Sequence, residues 1–124
     1  MCDQEWSFFS HDELKCQGTG ECNMNYNFMN MLVNLRRIYN KPIVLTSAFR
    51  SEEHNNNIGG SKGSAHVQGK AVDIAIDRGE AYKLLKLALE IGFTGIGISQ
   101  KGQGRFLHLD TLDDETLRPT IWSY

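Results

Sequence analysis

The sequence lacks both the long apolar runs of membrane-spanning chains and the positive charge of nucleic-acid-binding proteins. No apolar stretch approaches the roughly 20 residues that span a bilayer. The 13 Lys and Arg residues against 15 Asp and Glu residues give a formal net charge of −2. A protein that tracks phosphates normally carries a basic excess. We therefore expect no nucleic-acid partner and no membrane insertion.

Cysteine is scarce, since the chain has only Cys2, Cys16 and Cys22, with no Cys-x-x-Cys spacing among them. An odd number of cysteines is not a complete disulfide framework. The loop over 16–22 could close as a disulfide or bind a metal, but for a chain made in the cytosol we expect reduced, structural thiols. Residues 1–10 lack a basic region followed by an apolar stretch, so we also expect no signal peptide.

The apolar residues that are present suit one domain. The chain has 124 residues, 40% of them hydrophobic, which predicts a single domain over 1–124, and we expect it to be monomeric. Periodicity and turn residues predict helices over 24–39, 51–58 and 77–91, and strands over 43–49, 71–76, 95–99 and 105–111. This order favours an α+β domain with a largely antiparallel sheet flanked by helices.

The ends of these elements carry their own signals. Ser51 is the expected N-cap of the short helix, and Asp77 with Glu80 three residues later is a start signal for the last helix. Residues 1–22 are expected to be irregular, with Trp6, Phe8 and Phe9 packed as a lid on the core. The tail, which ends in Trp122 and Tyr124, is expected to fold back onto the domain.

Two predicted strands carry polar residues in apolar surroundings. Asp73 lies in Ala-Val-Asp-Ile-Ala-Ile, where an ionised carboxylate is costly unless it is paired or bound to a metal. His108 lies in Arg-Phe-Leu-His-Leu-Asp, and strand alternation puts it on one face with Phe106 and Asp110, away from the leucines. Taken singly, His108 could be a hydrogen-bonded core histidine, and Asp73 could cap a turn or meet an arginine.

A third polar residue, His66, precedes Asp73 by seven positions. That separation is too long for one helical turn and suits a loop that delivers His66 before the strand delivers Asp73, with Gly69 permitting the turn. Two imidazoles and one carboxylate are a common catalytic zinc set, which leaves the fourth position to water. We therefore expect a Zn²⁺ cofactor held by His66, Asp73 and His108.

Three motifs stand in order along the chain: Ser47-Ala48-Phe49-Arg50, Ser64-x-His66-x-x-Gly69-x-Ala71-x-Asp73 and His108-x-Asp110. Together they resemble the zinc D-Ala-D-Ala carboxypeptidase family, a hedgehog-type group of zinc peptidases. That family shares its fold with the hedgehog signalling domain and includes phage endolysins. The resemblance covers about 14–110, and Gly95-Ile96-Gly97-Ile98 looks like its short, phage-associated branch.

The resemblance implies a role for each matching residue. His66, Asp73 and His108 match the zinc ligands of the family. Arg50 matches an arginine that binds substrate or stabilises the developing oxyanion, and Ser64 matches a serine that can hydrogen-bond the substrate's peptide. A surface arginine at a strand end and a serine of a loop turn are the plain alternatives for these two residues.

One position departs from the family pattern. Many relatives carry an acidic general base three residues before the last histidine, where this chain has Arg105, which cannot act as a base. Asp110 is the nearest substitute, and it could act as the catalytic base or merely orient a ligand imidazole. His54 could also serve, although a capping role in the short helix is the favoured interpretation.

The resemblance implies a zinc-dependent peptidoglycan peptidase, either a D,D-carboxypeptidase or an endolysin-like endopeptidase, whose partner is the peptidoglycan stem peptide. The alternative is a non-catalytic zinc-containing binding or virion structural module of the same fold, motivated by Arg105. We expect synthesis in the cytoplasm and action on the cell wall after release by lysis or from a virion. Which peptide bond is cut stays open, because pocket shape decides it.

Overall fold

A computed structural model describes residues 5–124 of the chain. The elements in chain order are α1 (His11–Leu14), α2 (Tyr26–Tyr39), β1 (Val44–Ser47), α3 (Glu52–Asn57), β2 (Ala71–Ala75), α4 (Arg78–Ile91), β3 (Gly95–Ser99), β4 (Phe106–Asp110) and β5 (Thr120–Ser123). None of the helices within these residues has the length and apolarity needed to traverse a bilayer.

The five strands form one sheet in the order β1-β2-β4-β3-β5. The β1–β2, β2–β4 and β4–β3 pairs are antiparallel, and β5 runs parallel to β3. The predicted α+β class with a largely antiparallel sheet is therefore confirmed.

The register of the central strands places the polar residues side by side. On one side of β4, Asp73 of β2 lies directly across from His108. On the other side, Gly95 and Gly97 of β3 lie across from Asp110 and His108. Residues directly opposite each other in neighbouring strands project from the same face of a sheet, so Asp73 and His108 share one face.

The opposite face of the sheet packs against α2 and α4. The strand residues on this face are almost completely buried, namely Val72, Ile74, Ile96, Leu107 and Leu109. They belong to one apolar cluster with helix residues that include Phe28, Leu32, Leu35, Leu84 and Ala88. The core therefore lies between the sheet and these two helices, and the other face of the sheet is left to polar side chains.

The helix starts follow the predicted caps with one exception. Ser51 caps α3 through its side-chain oxygen, as predicted. Asp77 precedes α4, but its side chain makes no capping hydrogen bond. Glu80 instead accepts hydrogen bonds from Tyr39 Oη at 2.7 Å and Lys41 Nζ at 2.8 Å. Tertiary partners therefore replace the local capping pattern and tie the end of α2 to the start of α4.

Both ends of the described chain are more regular than predicted. The expectation that residues 1–22 are irregular is wrong for α1, which begins with a reciprocal capping box between Ser10 and Glu13. The Ser-x-x-Glu spacing at 10–13 is the local signal for that helix. The tail folds back as predicted, but it does so as strand β5, which the sequence pattern does not predict.

The aromatic lid is only partly as expected. Phe9 is buried and Trp6 packs against the core, whereas Phe8 is 48% exposed. The ring of Phe8 lies 4.4 Å from the guanidinium carbon of Arg36 on α2. A cation–π contact at the surface therefore replaces the predicted burial of this one ring.

The cysteines divide into two states. Cys22 is disulfide-bonded, so the expectation of a reduced thiol is wrong for this residue. Cys16 is a free and buried cysteine, as expected, so a 16–22 disulfide is excluded. Cys2 lies outside the described residues.

Candidate metal centre and cleft

A cleft of about 520 Å³ opens on the polar face of the sheet. Its floor carries the strand residues that alternate with the core leucines and valine, namely Asp73, Phe106, His108 and Asp110. Its walls come from the glycine-rich loop over 59–64 and from the tail, which contributes Leu112, Leu117, Arg118, Trp122 and Tyr124. The predicted alternation along β4 is therefore confirmed.

His66, Asp73 and His108 come together in this cleft. Their possible ligand atoms all lie within 4.8 Å of one another. Asp73 Oδ1 is 3.3 Å from His66 Nε2 and 3.0 Å from His108 Nδ1. All three residues are buried, with 3%, 9% and 6% of their surfaces exposed. The three ligands expected from the sequence thus form one compact group of two imidazoles and a carboxylate, a candidate metal site that we call the metal group.

The loop before β2 fixes the orientation of His66. Its Nδ1 lies 2.7 Å from the carbonyl oxygen of Ala48. A carbonyl oxygen can only accept, so Nδ1 carries the proton and Nε2 presents its lone pair towards Asp73. Gly69 turns the chain between His66 and Asp73 at a φ of 69°, where a Cβ would collide with the backbone of Asn23. Only glycine fits this turn, as the spacing predicts.

His108 is held on its other side by Asp110. His108 Nε2 lies 2.7 Å from Asp110 Oδ2. Arg118 donates to both oxygens of the same carboxylate, at 3.0 Å from Nε and 2.9 Å from Nη2, and the backbone N–H of Leu112 donates to Oδ1 at 3.2 Å. Asp110 has no exposed surface. Of the two roles open for Asp110, this geometry favours orientation of the imidazole over proton transfer.

The charges of the site favour ionised carboxylates. Burial alone would raise the pKa of Asp73, but the close imidazoles of His108 and His66 hold that pKa well below its usual range. Burial would likewise raise the pKa of Asp110, whereas hydrogen bonds from His108 and Arg118 lower it to about 2. For His108, burial lowers the pKa, but the contacts with Asp110 and Asp73 raise it above the ordinary value. The two carboxylates therefore stabilise positive charge at His108.

Arg50 lies beside the metal group. Its Nη2 is 3.6 Å from Asp73 Oδ2, and its side chain is 18% exposed. Nε donates to Ser47 Oγ and Nη1 donates to Asn55 Oδ1, each at 3.3 Å. These contacts hold the guanidinium in the wall of the cleft rather than on the outer surface. Its planar donors can meet a carboxylate or carbonyl oxygen that enters the cleft.

Ser64 lines the same cleft from the glycine-rich loop. Its hydroxyl oxygen accepts a hydrogen bond from the backbone N–H of His66 at 3.2 Å. Ser64 thus stabilises a loop turn, which was the plain alternative for it. Its hydroxyl group can still donate its own hydrogen to a ligand.

His54, the other residue weighed as a general base, and Arg105, which stands where many relatives have the base, both lie outside the cleft. The ring of His54 packs closely against Gly18, outside the cleft. Arg105 lines a separate groove at the start of β4. Within residues 5–124, the only side-chain carboxylates that line the cleft are those of Asp73 and Asp110.

The tail brings two residues to the site that the sequence pattern does not indicate. The ring of Trp122 lies 5.1 Å from the ring of His108, centroid to centroid. The guanidinium carbon of Arg118 lies 5.1 Å from the centre of the Trp122 ring. Neither residue belongs to a motif. Only the expectation that the aromatic tail folds back onto the domain could have pointed to them.

Comparison with known protein families finds a match over most of the chain. A family model described as peptidase M15 matches residues 7–110, which include the three residues of the metal group, Arg50 and Asp110. The match ends before β5 and therefore excludes Arg118 and Trp122. No curated protein matches the chain.

Proposed function

Because the chain belongs to the peptidase M15 family, we propose that it is a zinc-dependent peptidase that hydrolyses an amide bond in the peptide part of bacterial peptidoglycan. One observation carries this proposal. Two imidazoles and a carboxylate, from His66, Asp73 and His108, converge in an open cleft beside a fixed arginine. This donor set is common in zinc enzymes that act on peptide bonds.

The residues of the group fit a zinc ion. His66 and His108 each present one ring nitrogen to Asp73, while the other ring nitrogen meets a protein acceptor, the carbonyl of Ala48 or the carboxylate of Asp110. Such outer hydrogen bonds commonly fix the tautomer and direction of zinc-bound histidines. A zinc ion bound there would polarise a carbonyl group and lower the pKa of coordinated water.

Two cleft residues would handle the substrate. Arg50 would donate hydrogen bonds to the oxygen of the scissile amide or to a nearby carboxylate, and stabilise the negative charge that develops during attack. Ser64 would donate its hydroxyl hydrogen to the backbone of the bound peptide. Asp110 would act by orienting His108, because its oxygens are already occupied by Arg118, Leu112 and His108.

A second candidate is a zinc-containing binding or virion structural module of the same fold that does not hydrolyse its ligand. It is favoured by one observation: no side-chain carboxylate other than Asp73 and the fully occupied Asp110 lines the cleft within residues 5–124. Arg105, where many relatives have the acidic base, lines a different groove. The partner would still be the peptidoglycan stem peptide, but the protein would bind it without turnover.

Incubation of zinc-loaded protein with purified cell-wall sacculi separates the two candidates. The enzyme should release soluble muropeptides, and mass spectrometry of the fragments should show whether a D-Ala-D-Ala, an L-Ala-D-Glu or a cross-bridge bond has been cut. Asp73→Ala, which lacks the carboxylate ligand, is the matched control and should release none. Binding to sacculi without any release supports the module, and a zinc-loaded protein that neither binds nor cleaves any sacculus contradicts both.

A further inference from the structure

A chain of hydrogen bonds runs from the tail to the metal group. Arg118 donates to Asp110 through Nε and Nη2, at 3.0 and 2.9 Å. Asp110 Oδ2 also lies 2.7 Å from His108 Nε2. His108 Nδ1 in turn lies 3.0 Å from Asp73 Oδ1. Arg118 lies beyond residue 110, where the family match ends, so the match does not include it.

The chemistry of the pair fixes the direction of each hydrogen bond. The guanidinium of Arg118 is always protonated, and its two parallel donors hold the plane of the carboxylate. An ionised Asp110 can only accept hydrogen bonds, so His108 Nε2 must carry a hydrogen. In the neutral ring, the form that binds a metal, the lone pair then belongs to Nδ1, which is the nitrogen that faces Asp73.

We infer that Arg118 is a positioning residue for the metal site. It acts through Asp110 to hold His108 in the tautomer and direction that bind a metal, an inference that rests on the proposed zinc site. The structure thus assigns the tail beyond the family-matched region a part in building the metal centre, rather than only a part in covering the cleft.

The neighbours of Asp110 restrict its carboxylate to one position. It has no exposed surface, and the backbone N–H of Leu112 donates to its Oδ1. Gly95 lies directly across from it in β3, and a Cβ at that position would collide with the carboxylate group. The absence of a side chain at Gly95 therefore provides the space that the Asp110 carboxylate fills.

Arg118 is itself held in place by the strand that follows it. Strand β5 pairs with β3 from Thr120 opposite Gly95, and the N–H of Thr120 donates to the carbonyl oxygen of Thr94 at 2.9 Å. The guanidinium lies against the Trp122 ring, and only 14% of the Arg118 side chain is exposed. These contacts restrict the conformations of the Arg118 side chain, so its donors are held towards Asp110 at little further cost in conformational entropy.

The zinc affinity of Arg118→Gln tests this inference. We expect the zinc dissociation constant, measured by chelator competition, to rise by about 10- to 100-fold, the usual effect of removing a partner of a ligand. Arg118→Lys keeps the charge but loses the two-pronged contact, so its affinity should fall between those of the wild type and Arg118→Gln. Arg105→Gln is the matched control, because it removes a guanidinium outside the cleft, and its affinity should not change.

Two further measurements separate positioning from general support of the fold. Thermal unfolding of the metal-free variants shows whether each is folded, and Asp110→Asn, which keeps the size of the side chain, replaces Arg118→Gln if that variant does not fold. The visible spectrum of the Co²⁺-substituted protein reports the geometry around His108 and should change in the variants. A folded Arg118→Gln, or a folded Asp110→Asn in its place, with wild-type zinc affinity and an unchanged cobalt spectrum overturns the inference. A wild type that binds no zinc overturns the proposed function instead.

Discussion

The two faces of the central sheet are built from alternate residues of the same strands, yet one face is apolar and the other carries charged and polar side chains. On β4, Leu107 and Leu109 lie in the core against the helices, with 1% and 0% of their surfaces exposed. His108, between them, faces the cleft with Asp110. One residue of displacement along the strand thus separates apolar packing from a group of charged side chains.

We therefore expect one face of the sheet to provide stability and the other to provide function. The helix-covered face stabilises the fold by removing apolar surface from water. The cleft face buries carboxylates and imidazoles, whose desolvation cost offsets much of what their pairing contributes. Substitutions on the helix side should therefore lower stability and spare the metal site, whereas those on the cleft side should remove metal and activity and spare the fold.

The largest effect is expected for His66→Ala. Loss of this imidazole leaves only two of the three ligands, so hydrolysis should fall by more than about 10³-fold, or about 4 kcal/mol of transition-state stabilisation. The metal-free variant should unfold near the wild-type temperature, because His66 lies in the cleft and outside the apolar core. Rates of muropeptide release and calorimetric melting measure the two halves of this prediction. Wild-type turnover by His66→Ala would show that the cleft face is not the source of activity.

Leu107→Ala should show the reverse behaviour. The side chain is 1% exposed and lies next to His108 in sequence, but on the helix side of the sheet. Its truncation should lower the free energy of unfolding by about 2–5 kcal/mol, through lost burial and the cavity left behind. Urea titration measures this loss, and zinc analysis of the folded protein should find the wild-type content. If His108→Ala, its neighbour in the strand, destabilises the metal-free protein equally, the contrast between the faces fails.

Arg50→Lys should have a smaller effect that is confined to activity. Lysine keeps the positive charge but loses the fixed donors that Ser47 and Asn55 orient. We expect kcat to fall on the order of 10²-fold, as for the loss of one hydrogen-bond donor to a developing oxyanion. Zinc content should not change, because Arg50 is not a ligand. Arg105→Lys is the matched control, and an unaltered kcat in Arg50→Lys would remove this arginine from the mechanism.

The smallest effect is expected at Glu80, where polar contacts join the two helices that cover the core. Hydrogen bonds from Lys41 and Tyr39 lower the pKa of Glu80 to about 2. A carboxyl group with a lowered pKa stabilises the fold above its ordinary pKa, and this contribution is lost as the pH falls towards the folded value. Glu80→Gln should therefore melt a few degrees below the wild type at neutral pH. The difference should vanish between about pH 4 and pH 2, and a difference that persists at the lower pH would contradict this account.

The residues of the metal group could be predicted because their signals are local. A charged residue inside an apolar strand and a glycine between two ligands point to Asp73, His108 and His66 without any knowledge of distant contacts. The separation of the two sheet faces follows equally from alternation along β2 and β4.

The remaining features depend on contacts between distant segments. Strand β5 is short, follows Pro119 and leaves Ile121 60% exposed, so it owes its existence to pairing with β3 rather than to its own pattern. The role of Arg118 follows from that pairing. Glu80 shows the same limit, because Tyr39 and Lys41, far away in sequence, replace the local cap that its spacing predicts.

The number of zinc ions bound per chain tests the central claim most directly. Metal analysis of the purified wild type by mass spectrometry should find one zinc ion for each chain. Asp73→Ala, dialysed in parallel, should retain none, and Arg105→Gln should match the wild type. A folded wild type without zinc, or an Asp73→Ala variant that keeps its zinc ion, would contradict the assignment of His66, Asp73 and His108 as the metal site.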